Sequence, residues 1–142
     1  MLSQKTRYAL RALLHLAEAD PAKSTQAAEI AQRQQVPRKY LELILLDLKK
    51  AGFITSRRGP GGGYVLAKAP ADISFADVLR ATEGPIALVP CASVNFYARC
   101  ADCHDEATCA IRRVIARVRD DTVRTLSQTS LADAAAFETL AA

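Results

Sequence analysis

Apolar residues recur every three or four positions in three segments near the start of the chain, which is the spacing of a helix with one buried face. The pattern predicts helices over residues 6–18, 24–34 and 38–50. Their predicted inner faces consist of Leu10, Leu13, Leu14, Ala17, Ala27, Ile30, Ala31, Leu41, Ile44, Leu45 and Leu48.

Capping residues mark the ends of these helices. Ser24 or Thr25 is predicted to cap the second helix, and Pro37 is predicted to be the first residue of the third. Ser74 and Asp77 match the spacing of a capping box, which predicts the start of a fourth helix.

Two short stretches of extended-structure formers, residues 53–56 and 64–66, flank the glycine-rich segment 57–63. This arrangement predicts a β-hairpin with a glycine-rich loop. Three helices followed by a hairpin are the order of elements in a winged helix-turn-helix. The predicted fold class is therefore mainly α with a small β-hairpin wing (α+β), followed by a long C-terminal helix.

The last long helix is predicted to begin near residue 106 and to end near residue 128. Its apolar and small residues alternate spacings of four and three, as in a coiled coil; they are Ile111, Ile115, Val118, Thr122 and Thr125. This stripe packs either on its own domain or on a second copy. Because the N-terminal unit already looks complete, we predict a homodimer.

The predicted elements divide the chain into four regions. Residues 1–83 form a winged helix-turn-helix domain, 84–105 a cysteine-rich sensor loop, 106–130 a dimerisation helix and 131–142 a C-terminal tail. We find neither internal repeats nor low-complexity segments.

Composition and charge narrow the function classes. Half of the 142 residues are hydrophobic, which excludes wholesale disorder. No apolar run approaches the ~18 residues of a membrane span, and the N-terminus lacks a secretion-signal pattern, so a cytoplasmic protein is expected. Residues 1–68 carry twelve Lys and Arg against five Asp and Glu, a net charge of +7, whereas residues 69–142 carry −3. The basic half predicts a polyanionic partner, with a mixed soluble surface as the alternative.

The start of the third helix carries the candidate base-reading residues. Arg38 and Lys39 can donate hydrogen bonds to guanine or phosphate, and Glu42 can accept one from a cytosine amino group. Tyr40 offers a hydroxyl and an apolar ring face. In a helix-turn-helix this part of the second helix meets base edges in the major groove of double-stranded DNA.

The hairpin loop is the second candidate contact. Arg57 and Arg58 precede Gly59, Pro60 and Gly61. Glycines let the backbone lie close to another surface, and an arginine suits the narrow, negative minor groove. The loop lacks the Gly-Lys-Ser/Thr ending of a P-loop, which argues against a nucleotide-binding site here.

All four cysteines, Cys91, Cys100, Cys103 and Cys109, fall within one short segment. In a reducing compartment such a cluster more often binds metal or senses redox state than forms structural disulfides. Thiolates suit iron–sulfur clusters and zinc. An iron–sulfur cluster, zinc, a thiol–disulfide pair and no cofactor at all stay open at this point.

Three segments carry a specific resemblance: residues 7–10 (Arg-Tyr-Ala-Leu), 40–42 (Tyr-Leu-Glu) and 57–64 (Arg-Arg-Gly-Pro-Gly-Gly-Gly-Tyr). They resemble the IscR/NsrR/RirA/CymR family of winged-helix transcriptional regulators over residues 1 to about 130. The resemblance implies a dimeric bacterial regulator, more often a repressor, that binds an imperfect palindrome. It also implies that Glu42 enters the major groove, that Arg58 reaches the minor groove, and that the long helix forms the dimer interface.

The resemblance also implies a cluster site. Cluster-binding members use three cysteines, and Cys91, Cys103 and Cys109 match them; the gap after Cys91 is longer and Cys100 is additional. Arg112 stands where one member has a histidine ligand, and Arg7 near where another has an acidic one. We therefore expect Cys100 as the fourth ligand, with His104 as the alternative, of a [2Fe-2S] or [4Fe-4S] cluster. Zinc or no cofactor remain alternatives.

The alternative from a different function class is a small enzyme that uses redox-active cysteines. Cys100 and Cys103 have the spacing of a redox-active pair, but no thioredoxin-like strand–helix pattern surrounds them. No Ser/His/Asp set or pair of carboxylates is evident, so we expect no enzyme.

Overall fold

The structure, a computed structural model, describes residues 2–141 apart from the side chains of residues 138, 139 and 141. Its first helix, α1, spans Gln4–Glu18. It begins two residues earlier than predicted because Ser3 caps it, with the Ser3 hydroxyl accepting a hydrogen bond from the Thr6 amide at 3.2 Å. The buried Thr6 hydroxyl in turn donates to Thr82 Oγ1 at 2.8 Å, which ties α1 to the fourth helix.

The helix-turn-helix consists of α2, Ala27–Gln34, and α3, Arg38–Lys50. The prediction that Ser24 or Thr25 caps α2 is wrong: Gln26 is the N-cap and makes no side-chain capping bond. Pro37 is the residue before α3 rather than its first residue. The residues of α3 predicted to be buried are buried: Leu41, Ile44, Leu45 and Leu48.

The wing is an antiparallel hairpin of β1, Ile54–Arg57, and β2, Gly63–Leu66. Its register pairs Ile54 with Leu66 and Arg57 with Gly63. Each strand lies within one residue of its predicted position. The mainly helical fold with a small hairpin wing is therefore confirmed.

Helix α4, Phe75–Thr82, begins at the predicted capping box: the Ser74 hydroxyl donates to Asp77 Oδ2 at 2.8 Å and accepts from the Asp77 amide at 3.2 Å. After α4 the chain forms an irregular segment, residues 84–109, which contains one 3₁₀ turn over Pro90–Ala92. This segment ends at the N-cap of the next helix.

Helix α5 spans Ala110–Gln128, four residues shorter at its start than predicted. The shift arises because the Asp105 carboxylate accepts hydrogen bonds from the Ala107 amide and the Thr108 hydroxyl, which stabilises a turn instead. No residue of α5 is fully buried in the described chain. Of the predicted apolar stripe, Ile115 is half-buried, whereas Ile111 is 71% and Val118 is 43% exposed.

The segment expected to be a C-terminal tail contains a helix, α6, over Leu131–Ala141. Ser130 and Asp133 form a reciprocal cap at its start. Leu131 is fully buried in the same core as α1, and its amide donates to the Ile73 carbonyl at 2.9 Å. The physical reason for the difference is this anchor, because a buried leucine and a capping pair order a short helix that composition alone does not predict.

Candidate functional site

An exposed ion pair lies on the first turns of α3. Arg38 Nε lies 3.0 Å from Glu42 Oε1, one turn away, and both side chains are exposed. Lys39 is exposed beside them. An exposed pair of this kind is worth at most about 1 kcal/mol, so either partner can exchange it for a base or a phosphate at little cost.

Tyr40 occupies a different environment from its neighbours. Its ring is half-buried and packs edge-to-face against Tyr8, with 5.8 Å between ring centroids and 74° between the planes. The Tyr40 ring, which the sequence offers as an apolar contact for DNA, is therefore partly covered by Tyr8.

The two arginines of the wing are held differently. Arg57 Nη1 donates to the carbonyl of Ala22 at 2.8 Å, which links the wing to the loop before α2. Arg58 is exposed, and among residues 2–141 its guanidinium makes no hydrogen bond or ion pair. Of the pair, Arg58 is thus the one available to a polyanion.

The wing loop depends on glycine conformations. Gly59 and Gly61 have φ values of +92° and +73°, which side chains rarely adopt. The amide of Gly62 donates to the Gly59 carbonyl at 2.8 Å and closes the turn. Pro60 is exposed at its tip. The loop is therefore a formed turn rather than an open linker.

A clamp between wing and helix-turn-helix was not predicted from the sequence. Thr25 and Tyr64 exchange two main-chain hydrogen bonds, of 2.9 and 2.8 Å. The Ser24 hydroxyl donates to the carbonyl of Gly61. A Cβ on Gly63 would lie 2.4 Å from the Thr25 carbonyl oxygen, so only glycine permits this approach. The available sequence signal was the third consecutive glycine, which the loop turn itself does not require.

The four cysteines line a single cavity of about 350 Å³ beside the N-terminus of α5. Cys91 is buried and the other three are half-buried. His104, predicted as the alternative ligand, lines the same cavity. Across residues 2–141, no three His, Cys, Asp or Glu side chains already surround a common metal position.

Within this cavity Cys91 and Cys100 form the closest pair of sulfurs, at 3.7 Å, with the Cys100 thiol donating. This hydrogen bond, together with desolvation, raises the pKa of Cys100. Two thiolates on one tetrahedral ion with metal–sulfur bonds of ~2.3 Å are roughly 3.8 Å apart. The spacing and the soft donor set fit a thiolate-bound metal or cluster.

Cys109 is the N-cap of α5, where its sulfur accepts a hydrogen bond from the Arg112 amide at 3.4 Å. Negative charge is favoured at a helix N-terminus, so a thiolate ligand suits this position. Cys103 is connected to Cys100 by a main-chain hydrogen bond of 3.2 Å. The four sulfurs therefore come from three local elements around one cavity: the 3₁₀ turn with Cys91, the turn that joins Cys100 and Cys103, and the N-cap of α5.

Two arginines of α5 connect the cavity to the long helix. Arg112 Nε donates to the carbonyl of Cys91 at 3.0 Å, and Arg119 donates to the carbonyl of Ala92. The sequence did not predict either hydrogen bond, because every residue has a main-chain carbonyl and no sequence pattern shows which one accepts. These two hydrogen bonds link the turn that carries Cys91 to α5.

The part of the chain that the structure describes contains no helix that is long and apolar enough to cross a membrane.

Comparison with known proteins gives a consistent result. The family described as "Rrf2: Iron-dependent Transcriptional regulator" matches residues 2–136. An Rrf2-like HTH-type transcriptional regulator of Rhodobacter capsulatus is 52% identical over 121 residues, which are 83% of this chain and 81% of that protein.

Solved structures agree with the sequence match. CymR, the global cysteine regulator of B. subtilis, has a TM-score of 0.80 at 34% identity, with 96% of this chain and 97% of that chain covered. T. potens IscR has a TM-score of 0.73 at 28% identity, with 94% and 84% covered. The resemblance deduced from the wing and helix motifs is confirmed.

Proposed function

Because the chain belongs to the Rrf2 family of DNA-binding transcriptional regulators, we propose that it is a homodimeric repressor whose operator affinity is controlled by an iron–sulfur cluster. The proposed ligands are Cys91, Cys103 and Cys109 with Cys100 as the fourth. The observation that carries the proposal is the convergence of all four sulfurs on one cavity. The family description, an iron-dependent regulator, supports the choice of metal.

The proposed DNA contacts are those with exposed polar groups beside the helix-turn-helix. Arg38, Lys39 and Glu42 on α3 are assigned to the major groove, and Arg58 to the minor groove. Gly59, Pro60 and Gly61 shape the turn that presents Arg58. Arg57 positions the wing through the Ala22 carbonyl rather than reading DNA, and Tyr40 supports α3 through Tyr8.

The proposed dimer interface is the exposed stripe of α5. Ile111, Val114 and Val118 are exposed large apolar residues on a helix with no buried residue in the described chain. A second copy that covers this stripe gives a two-fold dimer, and such a dimer matches an operator with two related half-sites. An imperfect palindrome is the DNA expected from that symmetry.

Cys100 is preferred to His104 as the fourth ligand because its sulfur already lies at ligand spacing from Cys91. Both [2Fe-2S] and [4Fe-4S] clusters take four thiolates. A cluster bound there supplies a group that oxidants or iron shortage remove. The chain's own residues transmit that loss, since Arg112 and Arg119 connect the Cys91 turn to α5.

A thiol–disulfide regulator is the second candidate, and the 3.7 Å contact between Cys91 and Cys100 favours it. With hydrogen peroxide as oxidant, the two thiols lose two protons and two electrons, a disulfide forms, and the peroxide leaves as two waters. The similarity to CymR, a cysteine regulator, supports this alternative. A zinc site is the third possibility for the same donor set.

Metal analysis separates the three candidates. We expect protein purified without oxygen to contain iron and acid-labile sulfide in equal amounts and to absorb visible light. Cys91→Ser and Cys100→Ser are expected to lose both, whereas His104→Ala, the matched control on the same cavity wall, retains them. Zinc alone, or a peroxide-dependent disulfide without metal, would select the other candidates.

DNA binding is tested separately. We expect a duplex selected from a random-sequence pool to bind with an affinity that falls steeply with salt concentration and changes when the metal is removed. Arg58→Ala is expected to weaken this binding roughly tenfold, since one well-placed arginine contact contributes about 1–3 kcal/mol. An affinity that Arg58→Ala leaves unchanged would argue against the wing assignment.

A further inference from the structure

Helix α3 presents two leucines to solvent on the face that points away from its core. Leu43 is 62% and Leu46 is 46% exposed. The buried residues Leu41, Ile44, Leu45 and Leu48 occupy the opposite side. At these exposures the two leucines contribute helix propensity but leave much of their apolar surface in water.

These leucines lie in a row with two lysines. At helical spacing, Lys39, Leu43, Leu46 and Lys50 form one ridge along the outermost side of α3. Both lysines are exposed, and within residues 2–141 neither ammonium group forms a hydrogen bond or an ion pair. Other charged side chains of α3 are already paired: Arg38 with Glu42, Asp47 with Lys5, and Lys49 with Ser56.

We propose that Leu43, supported by Leu46, reads the 5-methyl groups of thymines in the major groove. The inference rests on the proposed function, because it requires that α3 enters duplex DNA. The major-groove edge of thymine presents a methyl group, and an apolar side chain is the group that recognises it. Lys39 and Lys50 at the two ends of the ridge are placed to contact phosphates, which fixes the helix in the groove.

A protein partner fits this ridge less well. Two leucines on one ridge offer far less than the roughly 1,000 Å² that a stable protein interface buries. Leu43 also lies next to Glu42 in sequence, one of the residues proposed to read a base. The lysines that flank the leucines favour a polyanion over a protein surface.

Replacing thymine by deoxyuridine removes only the methyl group, so it tests this contact directly. A duplex is first selected from a random-sequence pool by the wild-type protein, both as purified without oxygen and after metal removal. Each thymine is then replaced singly by deoxyuridine, and the Kd is measured by fluorescence anisotropy for the wild-type protein, Leu43→Ala, Leu46→Ala and the control Val94→Ala. Val94 is an apolar residue of similar exposure, at 74%, in the cysteine segment.

We expect deoxyuridine at one or two positions of each half-site to weaken wild-type binding roughly fourfold per methyl group. Leu43→Ala should bind the thymine and deoxyuridine duplexes equally at those positions, whereas Val94→Ala should discriminate like the wild type. Leu46→Ala should reduce the discrimination less than Leu43→Ala. Thermal unfolding verifies that each exposed substitution leaves the fold intact.

Two results would overturn the inference while leaving the proposed function in place: a wild-type protein insensitive to every deoxyuridine, or a Leu43→Ala variant that still discriminates. Unchanged DNA affinity with an altered assembly mass in sedimentation would assign the ridge to a protein contact and also overturn it. If the pool yields no bound duplex in either state of the protein, the proposed function itself fails and the inference fails with it.

Discussion

Residues 4–82 share a continuous apolar core to which all four of their helices and the hairpin contribute, whereas residues 84–109, which carry the cysteines, bury only Cys91, Ala92 and Ser93. The first region also fixes its wing through the Thr25–Tyr64 pair. The second region contains a single 3₁₀ turn and leaves Phe96 and Tyr97 more than half exposed.

The difference matches the two tasks that we propose for these regions, DNA recognition and sensing. A surface that reads DNA benefits from being formed before the DNA arrives, since ordering it later costs conformational entropy. A sensor needs a segment whose order depends on its ligand, and few buried contacts give such a segment low local stability. In the function proposed above, a metal bound by the cysteines supplies the missing free energy, because ligand binding and folding are coupled.

The largest expected effect comes from breaking the wing clamp. Gly63→Ala places a Cβ against the Thr25 carbonyl and requires a positive φ of 150°. We expect the free energy of unfolding to fall by about 3 kcal/mol and DNA binding to be lost, because the wing can no longer dock.

Gly61→Ala is the matched control for this clash. Gly61 also has a positive φ, +73°, but its Cβ would meet no atom within 4 Å. Its substitution should therefore cost only the left-handed backbone penalty of about 1 kcal/mol. Equal losses in denaturant titrations of the two variants would show that the clamp contributes nothing.

A second prediction tests whether α6 belongs to the DNA-reading region. Leu131 is fully buried against the core, so Leu131→Ala should lower the free energy of unfolding by about 3 kcal/mol. Leu140→Ala, on the same helix at 85% exposure, should change it by less than about 0.5 kcal/mol. If chemical denaturation shows a similarly small change in the free energy of unfolding for both variants, residues 131–141 do not contribute to the core and are a C-terminal tail.

The sequence predicts what local periodicity and capping determine. The buried face of α3, the Ser74–Asp77 cap and the hairpin follow from spacing and turn chemistry. On α1 the prediction is right only in part, because Leu10 and Leu13 are buried whereas Leu14 and Ala17 are half-buried. The wing motif, Arg-Gly-Pro-Gly-Gly-Gly-Tyr, was distinctive enough to indicate the family, which the comparisons confirm. These features depend on residues close together in the chain.

The features that the sequence did not predict are long-range. Ser24 and Thr25 look like helix caps but bond to the wing, some 40 residues away. Leu131 was assigned to a tail because nothing nearby shows that Ile73 and α1 lie beside it. The sequence predicts that the four cysteines share a site. It does not predict the hydrogen bonds that Arg112 and Arg119 donate to the carbonyls of Cys91 and Ala92, because every residue has a main-chain carbonyl.

The smallest expected effect on stability is in the cysteine segment. Cys103 is half-buried in a region with few apolar contacts, so Cys103→Ser in the metal-free, reduced protein should change the free energy of unfolding by less than about 0.5 kcal/mol. The same substitution should abolish retention of iron and sulfide after purification without oxygen. Ala101→Ser, which introduces the same hydroxyl at an exposed neighbouring position, should retain both. A metal-free Cys103→Ser protein destabilised as strongly as Leu131→Ala would mean that the cysteine segment folds through its own packing. The contrast between a preformed reader and a ligand-dependent sensor would then be wrong, because stability would no longer distinguish the two regions.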